Sequence, residues 1–104
     1  MAQTSKSNFE QMKYCMDSSA ACLNCAEHAS DEGCARTCRI NAELASCTAK
    51  LMSLNAPQLN TLIDLTIKSS KECAEMCIKH KNDHCQTCAH SCQNLAQSLR
   101  QVTE

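Results

Sequence analysis

The sequence has few of the residues that usually form turns or fill a core: no tryptophan, one glycine, one proline, one tyrosine and one phenylalanine in 104 residues. Because Gly and Pro are the strongest turn formers, their scarcity argues against a loop-rich fold. The scarcity of aromatic residues leaves few large side chains with which to pack a core. We therefore expect regular elements joined by short connections.

An excess of one charge and a long apolar run are also missing. The net charge is −1, so the chain lacks the basic surface typical of nucleic-acid binding and the polybasic patch that anionic membranes attract. No apolar run approaches the roughly 18 residues of a membrane helix. The N-terminal residues lack the charged segment and apolar stretch of a secretory signal. We expect no nucleic-acid or membrane partner, and a cytoplasmic location.

Cysteine, in contrast, is abundant, with 11 residues in the chain. A short cysteine-rich chain is often a secreted disulfide scaffold. Here the count is odd, and most neighbouring cysteines are three or four residues apart in helix-like sequence. That spacing separates Cβ atoms by about 5–6 Å, whereas a disulfide needs about 3.5–4.5 Å. The pattern favours reduced, metal-binding thiols over disulfides.

Three breaks divide the chain into four segments of similar length. The breaks fall at residues 30–33, 55–57 and 81–83, and the segments span residues 7–29, 32–54, 57–80 and 84–102. Ala, Leu, Gln, Glu, Lys, Met and Ser dominate these segments, which predicts helices. Pro57 suits the first turn of a helix and Asp83 suits an N-cap. Short connections make neighbouring helices antiparallel, so we predict an all-α, up-down-up-down four-helix bundle forming a single domain over residues 1–104.

The cysteines follow the inward faces of these predicted helices. Steps of three and four residues place ten of them on such stripes: Cys15, Cys22, Cys25, Cys34, Cys38, Cys73, Cys77, Cys85, Cys88 and Cys92. Antiparallel packing gathers all of these except Cys15 at one end of the bundle, with Cys15 about 15 Å from Cys25 at helical rise. The opposite half of the core is apolar. Cys47 joins a second, leucine-rich face of the second helix, where we expect it to pack and not to bind metal.

Several soft-metal chemistries suit such a thiol-lined core. Soft thiolates select Cu(I), zinc and iron–sulfur clusters. Zinc and a four-iron cluster each need four cysteines and leave a surplus, whereas Cu(I) accepts two or three sulfurs and shares bridging thiolates. A haem attachment needs C-x-x-C-H, and His90 comes one residue too late after Cys88. An iron–sulfur electron-transfer bundle and a structural zinc or disulfide bundle remain alternatives.

Three histidines are expected at the thiol-rich end. His80 lies on the inward stripe one turn beyond Cys77, His84 precedes Cys85, and His28 closes the first helix. They are positioned to relay or cap metal at the opening of the core. His90 lies about 160° from Cys92 around the fourth helix at 100° per residue, so we expect it to face solvent.

The segment K-E-C-A-E-M-C-I-K-H-K-N-D-H-C-Q-T-C-A-H-S-C, with the cysteine stripes of the first two helices, resembles the four-helix-bundle copper storage proteins of bacteria. The resemblance implies an antiparallel bundle, often a tetramer, whose inward thiolates hold many Cu(I) ions. It implies that the ten stripe cysteines are ligands, with His80 and His84 at the opening, and a cytosolic protein. Positions that are Cys in well-filled members are here Ser18, Ala29, Asn41, Ala45, Ile63, Thr66, Ser70, Leu95 and Leu99. A lower copper capacity is therefore expected.

The sequence does not favour an enzyme. It offers no Cys–His–acid arrangement distinct from the cysteine stripes, no nucleotide-binding loop and no evident carboxylate pair. A redox role for C-x-x-C would be expected in a βαβ context, which the sequence lacks. We predict a protein that sequesters several Cu(I) ions without catalysis.

Overall fold

A computed structural model describes the backbone of residues 2–103 and the side chains of residues 8–102. The described residues form four helices: α1 (Ala2–His28), α2 (Glu32–Leu54), α3 (Leu59–Cys77) and α4 (Asp83–Thr103). Each helix packs against two others, in the order α1, α2, α3, α4 and back to α1. The bundle measures 44 × 18 × 18 Å. The predicted four-helix bundle is confirmed. None of the described helices has an apolar stretch long enough to cross a membrane.

The connection between α1 and α2 is short because α2 begins at a strong cap. Asp31 has extended backbone angles, and its Oδ1 atom accepts hydrogen bonds from the N–H groups of Gly33 at 2.8 Å and Cys34 at 3.3 Å. These bonds satisfy two of the donors that the first turn of a helix leaves without partners. The cap therefore fixes where α2 starts, and with it the position of Cys34 at this end of the bundle.

α2 ends at a residue with a left-handed backbone. Asn55 has φ 52° and ψ 46°, a conformation that Asn tolerates better than most residues. Its N–H donates to the Met52 carbonyl at 3.1 Å, and the Ala56 N–H donates to the Leu51 carbonyl at 3.1 Å. This pairing is a Schellman-type ending, and it reverses the chain toward α3.

The boundaries of α3 differ from the sequence-based prediction. α3 begins at Leu59, two residues after Pro57, because residues 56–59 form a turn in which the Leu59 N–H donates to the Ala56 carbonyl at 3.1 Å. It ends at Cys77, so His80 lies in the following turn, where its N–H donates to the Cys77 carbonyl at 3.0 Å. Asp83 is the first residue of α4, and the Asn82 carbonyl accepts from Cys85 and Gln86. The carbonyl of Asn82, and not that of Asp83, therefore accepts the first hydrogen bonds of α4.

The core has two chemically different halves. One contains nine buried cysteines packed with small residues such as Ala42, Ala74 and Ala89. The other contains Met52, Ile63, Leu95 and Leu99, with Met12 and Val102 at its edge. The predicted division into a thiol half and an apolar half is confirmed. We call the nine cysteines of the first half the thiol cluster: Cys22, Cys25, Cys34, Cys38, Cys73, Cys77, Cys85, Cys88 and Cys92.

Candidate metal centre

The thiol cluster lies at the end of the bundle where α1 and α3 finish and α2 and α4 begin. All four helices contribute cysteines, in pairs on α1, α2 and α3 and as a set of three on α4. Every one of these side chains is buried, with at most 3% of its surface exposed. The spacing of three and four residues puts the cysteines of each helix one above the other on its inward face.

The sulfur atoms form a connected network. The Sγ atom of Cys88 lies 3.5 Å from that of Cys22, 3.8 Å from that of Cys38 and 3.9 Å from that of Cys73. The Sγ atom of Cys77 lies 3.5 Å from that of Cys38. These separations are far longer than the roughly 2.05 Å of a disulfide, and all 11 cysteines are free thiols. The Sγ–Sγ distances are close to the separation expected for two sulfur atoms that both bind one soft metal ion at about 2.3 Å.

Among the residues that the structure describes, three groups of possible ligand atoms converge closely enough to hold a metal ion. In each group, the ligand atoms lie within 4.8 Å of one another. The groups are Cys22 with Cys73, Cys88 and Cys92; Cys25 with Cys38, Cys77 and Cys88; and Cys25 with His84 and Cys85. Cys88 belongs to two of them and Cys25 to two. Metal ions in these groups would therefore share thiolates, as bridging chemistry requires.

The cysteines of the thiol cluster differ in the direction in which their pKa values are shifted. Sulfur hydrogen bonds, with Cys38 the strongest partner, lower the pKa of Cys22 and Cys77 below the usual thiol range. Hydrogen bonding to Cys22 is the main cause that raises the pKa of Cys73 and Cys88. The surrounding thiols thus favour hydrogen bonds directed toward the sulfur atoms of Cys22 and Cys77.

Burial dominates nearer the end of the bundle. It raises the pKa of Cys25, Cys34 and Cys85 to about 11 in each case. A thiol is the stable form there in the absence of metal, because a buried charge without a partner is costly. Metal binding at these residues must therefore displace protons.

His84 is the histidine that reaches the sulfur network. Its Nδ1 atom lies 3.4 Å from the Sγ atom of Cys25 and 3.5 Å from that of Cys85. The ring of His28 lies with its centroid 5.7 Å from that of His84, and its Nδ1 atom contacts the Asn24 carbonyl at 2.9 Å. His28 is exposed. At the opening of the thiol cluster, the ring of His84 therefore lies next to the sulfur atoms and the ring of His28 lies outside it.

His80 occupies a different place from the one its stripe position suggests. Its Nε2 atom lies 3.9 Å from Oδ2 of Asp31, and the ring is partly exposed. It lines a small cavity of about 20 Å³ together with Cys34, His84 and Cys85. Among the described residues, it is not part of a group whose ligand atoms converge within 4.8 Å. A role for His80 as a direct ligand stays a prediction. His90 is exposed, as expected.

Cys15 is separated from the thiol cluster. It is fully buried in the apolar half, in one cluster with Ala45, Ile63 and Leu95. Burial raises its pKa to about 12. Seven residues, or about 10 Å of helix rise, separate it from Cys22. Its inclusion among the ligands therefore stays a prediction, and its surroundings do not favour it.

The expected packing of Cys47 is wrong. The side chain is exposed, and its neighbours on the same face of α2 include Ile40 at 50% and Leu54 at 73% exposure. The reason is geometric: each helix of a four-helix bundle turns one stripe to the core, and α2 already uses the stripe of Cys34 and Cys38. A second apolar face on the same helix must therefore point outward.

Sequence reasoning also missed three polar residues that touch the thiol cluster. Asn41 is fully buried and donates to the sulfur atoms of Cys22 and Cys92, Ser70 donates to Asn41, and Ser18 contacts Cys92. All three are among the positions at which the resemblance implies cysteine in well-filled members of the family. The available signal was a set of polar residues at the same height on three inward faces, since buried polar groups need partners.

Comparisons with known proteins agree with this geometry. A family model described as copper storage protein matches residues 1–104. The chain is 30% identical over 95 residues to the uncharacterized cysteine-rich protein YhjQ of Bacillus subtilis strain 168, covering 85% of this chain and 88% of that protein.

Two solved structures have a closely similar fold. The Cu(I)-bound copper storage protein BsCsp3 superposes with a TM-score of 0.88 at 27% identity, covering 94% of this chain and 99% of that one. The metal-free copper storage protein 3 of Bacillus subtilis gives a TM-score of 0.80 at 31% identity, covering 90% of this chain and 96% of that one.

Proposed function

Because the chain belongs to the copper storage protein family, we propose that it binds several Cu(I) ions in its thiol cluster and holds them as a store or buffer. The observation that carries this proposal is the connected network of nine buried thiols, in which sulfur atoms of different helices lie 3.5–4.0 Å apart. A network in which Cys88 and Cys25 each belong to two ligand groups suits a metal that shares thiolates.

Charge also favours Cu(I) over zinc. One Cu(I) ion per thiolate makes a neutral unit, whereas zinc bound by four thiolates leaves two negative charges. None of the buried side chains among the described residues is a lysine or an arginine. A neutral copper–thiolate cluster avoids the cost of an uncompensated charge in a dry core. Soft thiolates also select Cu(I) in general.

Copper would enter at the end that carries His84. That ring is partly buried, and it faces both the small cavity and the sulfurs of Cys25 and Cys85. An imidazole can receive Cu(I) from solution and pass it to the neighbouring thiols. Each thiol that takes up copper releases its proton, so loading acidifies the solution.

The finer assignments follow from this function. We propose that the nine residues of the thiol cluster and His84 are the copper ligands. We propose a non-catalytic role in the cytoplasm, where thiols stay reduced. We also propose a homo-oligomer, because the outward face of α2 carries exposed Ile40 and Leu54, which a second copy would cover. Light scattering at several concentrations would test the oligomer, and a strictly monomeric protein would contradict it.

An anaerobic titration tests the function. The reduced protein is titrated with Cu(I) in the presence of a chromophoric Cu(I) chelator, and bound copper is counted per chain. We expect several ions per chain and ultraviolet, not visible, absorption. Retention of one Cu(I) ion or fewer would overturn the proposal. Visible absorption from bound iron after anaerobic purification would instead favour an iron–sulfur protein.

A further inference from the structure

A polar layer borders the thiol cluster on the side of the apolar half. Asn41 lies on α2 between Cys38 and Ala45, Ser70 lies on α3 before Cys73, and Ser18 lies on α1 before Cys22. All three side chains are fully buried. We call these three residues the polar layer. A buried polar residue in a core is retained only where its groups have partners, so the partners of Asn41 show what the layer does.

Both ends of the Asn41 amide are engaged. Its Nδ2 atom lies 3.4 Å from the Sγ atom of Cys22 and 3.3 Å from that of Cys92. Its Oδ1 atom accepts a hydrogen bond from the Ser70 hydroxyl at 3.1 Å. The two sulfur atoms lie 3.5 Å from each other. The hydroxyl of Ser70 thus holds the amide with its two N–H donors toward two cysteines of one ligand group.

This orientation suits thiolates rather than thiols. A thiolate bound to a metal has no proton, so it can only accept hydrogen bonds, and an amide N–H supplies them. A hydrogen bond to a charged acceptor is stronger than one between neutral groups, and a site without water strengthens it further. The amide therefore interacts more favourably with the metal-bound state than with the protonated one.

We propose that Asn41 is a positioning residue of the copper site, which donates its two N–H groups to the thiolates of Cys22 and Cys92 and so tightens Cu(I) binding at the group that also contains Cys73 and Cys88. The inference rests on the proposed copper-binding function. Ser70 acts through Asn41 by fixing the amide. Because the layer has no sulfur of its own, it also ends the ligand network before Cys15.

Three substitutions and one matched control test this role. Asn41→Leu removes both donors at similar volume. Asn41→Asp keeps Oδ1 but replaces the NH2 group by a second oxygen, which carries at most one proton and none when the group is ionised. Ser70→Ala leaves the amide in place but removes the hydroxyl group that holds its Oδ1 atom. Thr66→Val is the control, because Thr66 is a buried residue whose hydroxyl pairs with that of Thr48 at 2.8 Å, away from the thiol cluster. Its removal leaves the Thr48 hydroxyl with a partner, since that hydroxyl also donates to the Leu44 carbonyl at 2.7 Å.

The measurements are made on the full-length reduced protein with Cu(I) as the only metal. Competition with a chromophoric chelator gives the Cu(I) affinity over the first few equivalents, and the sulfur-to-copper charge-transfer band is recorded at the same points. Circular dichroism and thermal unfolding of the metal-free proteins show that each variant is folded. A purely structural role would alter unfolding without shifting the charge-transfer band.

We expect Asn41→Leu to weaken Cu(I) binding over these equivalents by roughly tenfold or more, and to move the band to lower energy because the sulfur electrons are no longer stabilised. Ser70→Ala should act in the same direction with a smaller effect, and Thr66→Val should leave both readings unchanged. Asn41→Asp should bind Cu(I) less tightly than the wild type. If Asn41→Asp binds as tightly or more tightly, the residue acts through its oxygen and the donor role is wrong.

The two proposals fail in different ways. If the wild type binds one Cu(I) ion or fewer, the proposed function fails. If the wild type binds several Cu(I) ions but Asn41→Leu and Ser70→Ala match its affinity and band position, only the role of Asn41 is overturned. If Thr66→Val weakens binding as much as Asn41→Leu, the effect is one of core packing and the inference is also overturned.

Discussion

The Nδ1 atom of His84 lies 3.4 Å from the Sγ atom of Cys25, although 59 residues separate them in the chain. The contact joins the first turn of α4 to the last turn of α1. It is the place where the described part of the sulfur network meets a histidine nitrogen, on a ring that is only partly buried. His84 therefore links the interior thiols with the surface of the protein.

Replacement of His84 by alanine should slow copper uptake more than it lowers copper capacity. The change removes the proposed nitrogen ligand beside Cys25 and Cys85 but leaves all nine thiols of the cluster in place. We expect the initial rate of Cu(I) transfer from a chelate to fall several-fold, with the loss of at most one ion per chain. Stopped-flow absorbance measures the rate. His90→Ala, an exposed residue on the same helix, is the control, and equal rates for both variants would rule out a role in entry.

Removal of Cys88 should cost more copper than removal of Cys34. Cys88 belongs to two groups of four converging thiols, so Cys88→Ala takes a shared ligand from both. Cys34 contacts Cys77 at 3.8 Å and belongs to neither group. We expect a loss of about two Cu(I) ions for Cys88→Ala and of one or none for Cys34→Ala, counted by elemental analysis after anaerobic loading. Equal losses would show that the thiols are not shared in the way the sulfur distances indicate.

The N-cap of α2 should contribute measurably to the stability of the metal-free protein. The Asp31 carboxylate accepts two backbone hydrogen bonds, and loss of such a cap costs about 1 kcal/mol. We expect Asp31→Ala to lower the free energy of unfolding by about this amount in urea. Asp31→Asn retains an oxygen at the same position and should lose much less. If both variants are equally destabilised, the contribution comes from the charge, which faces His80, and not from the cap.

The sequence was sufficient for the fold and for the membership of the thiol cluster, because both depend on periodicity. Steps of three and four residues define one face of a helix, and antiparallel order then decides which ends meet. The same reasoning separated Cys15 from the other stripe cysteines. It was less reliable at helix ends, where Pro57 stands in a turn before α3 and His80 follows its last residue. Local hydrogen bonds, not periodicity, decide such boundaries.

Contacts between helices could not be predicted in the same way. The role of Asn41 depends on two sulfurs from α1 and α4 and on a hydroxyl from α3, and no pattern within α2 encodes those distances. Cys47 illustrates the opposite error: its leucine-rich face was periodic and apolar, yet it lies on the outside of the bundle. Periodicity identifies a face, but only packing shows what covers it.

Replacement of Cys47 by alanine should leave copper binding unchanged. Its side chain is exposed, on the outer face of α2, whereas the thiol cluster is buried between the four helices. We expect the same number of Cu(I) ions per chain and the same affinity as in the wild type. The variant should differ under oxidising conditions, where the exposed thiol of the wild type can join two molecules through a disulfide. A loss of bound copper in Cys47→Ala would contradict the assignment.

Alkaline pH should destabilise the metal-free protein, and Cys15 should account for a separable part of the effect. Burial raises the pKa of Cys15 from 9.0 to about 12 in the folded protein. A raised pKa means that the fold favours the protonated thiol, so this contribution to stability is fully present below about pH 9. It is lost as the pH rises toward 12, because the unfolded chain releases the proton first.

The expected size of that loss follows from the interval between the unfolded-state pKa and the pH of the measurement. Each unit corresponds to 1.36 kcal/mol, so by pH 11, two units above 9.0, the wild type should lose about 3 kcal/mol through Cys15. Cys15→Ala lacks this group, and its free energy of unfolding should fall less steeply between pH 9 and pH 11. Urea unfolding of the reduced, metal-free proteins measures the difference, with Cys47→Ala as the control because that thiol is exposed in the fold. The apolar neighbours Ile63 and Leu95 offer no partner for a thiolate at Cys15, so we expect the two pH profiles to differ. Parallel profiles for wild type and Cys15→Ala would contradict the prediction, because they would mean that the core accommodates the Cys15 thiolate.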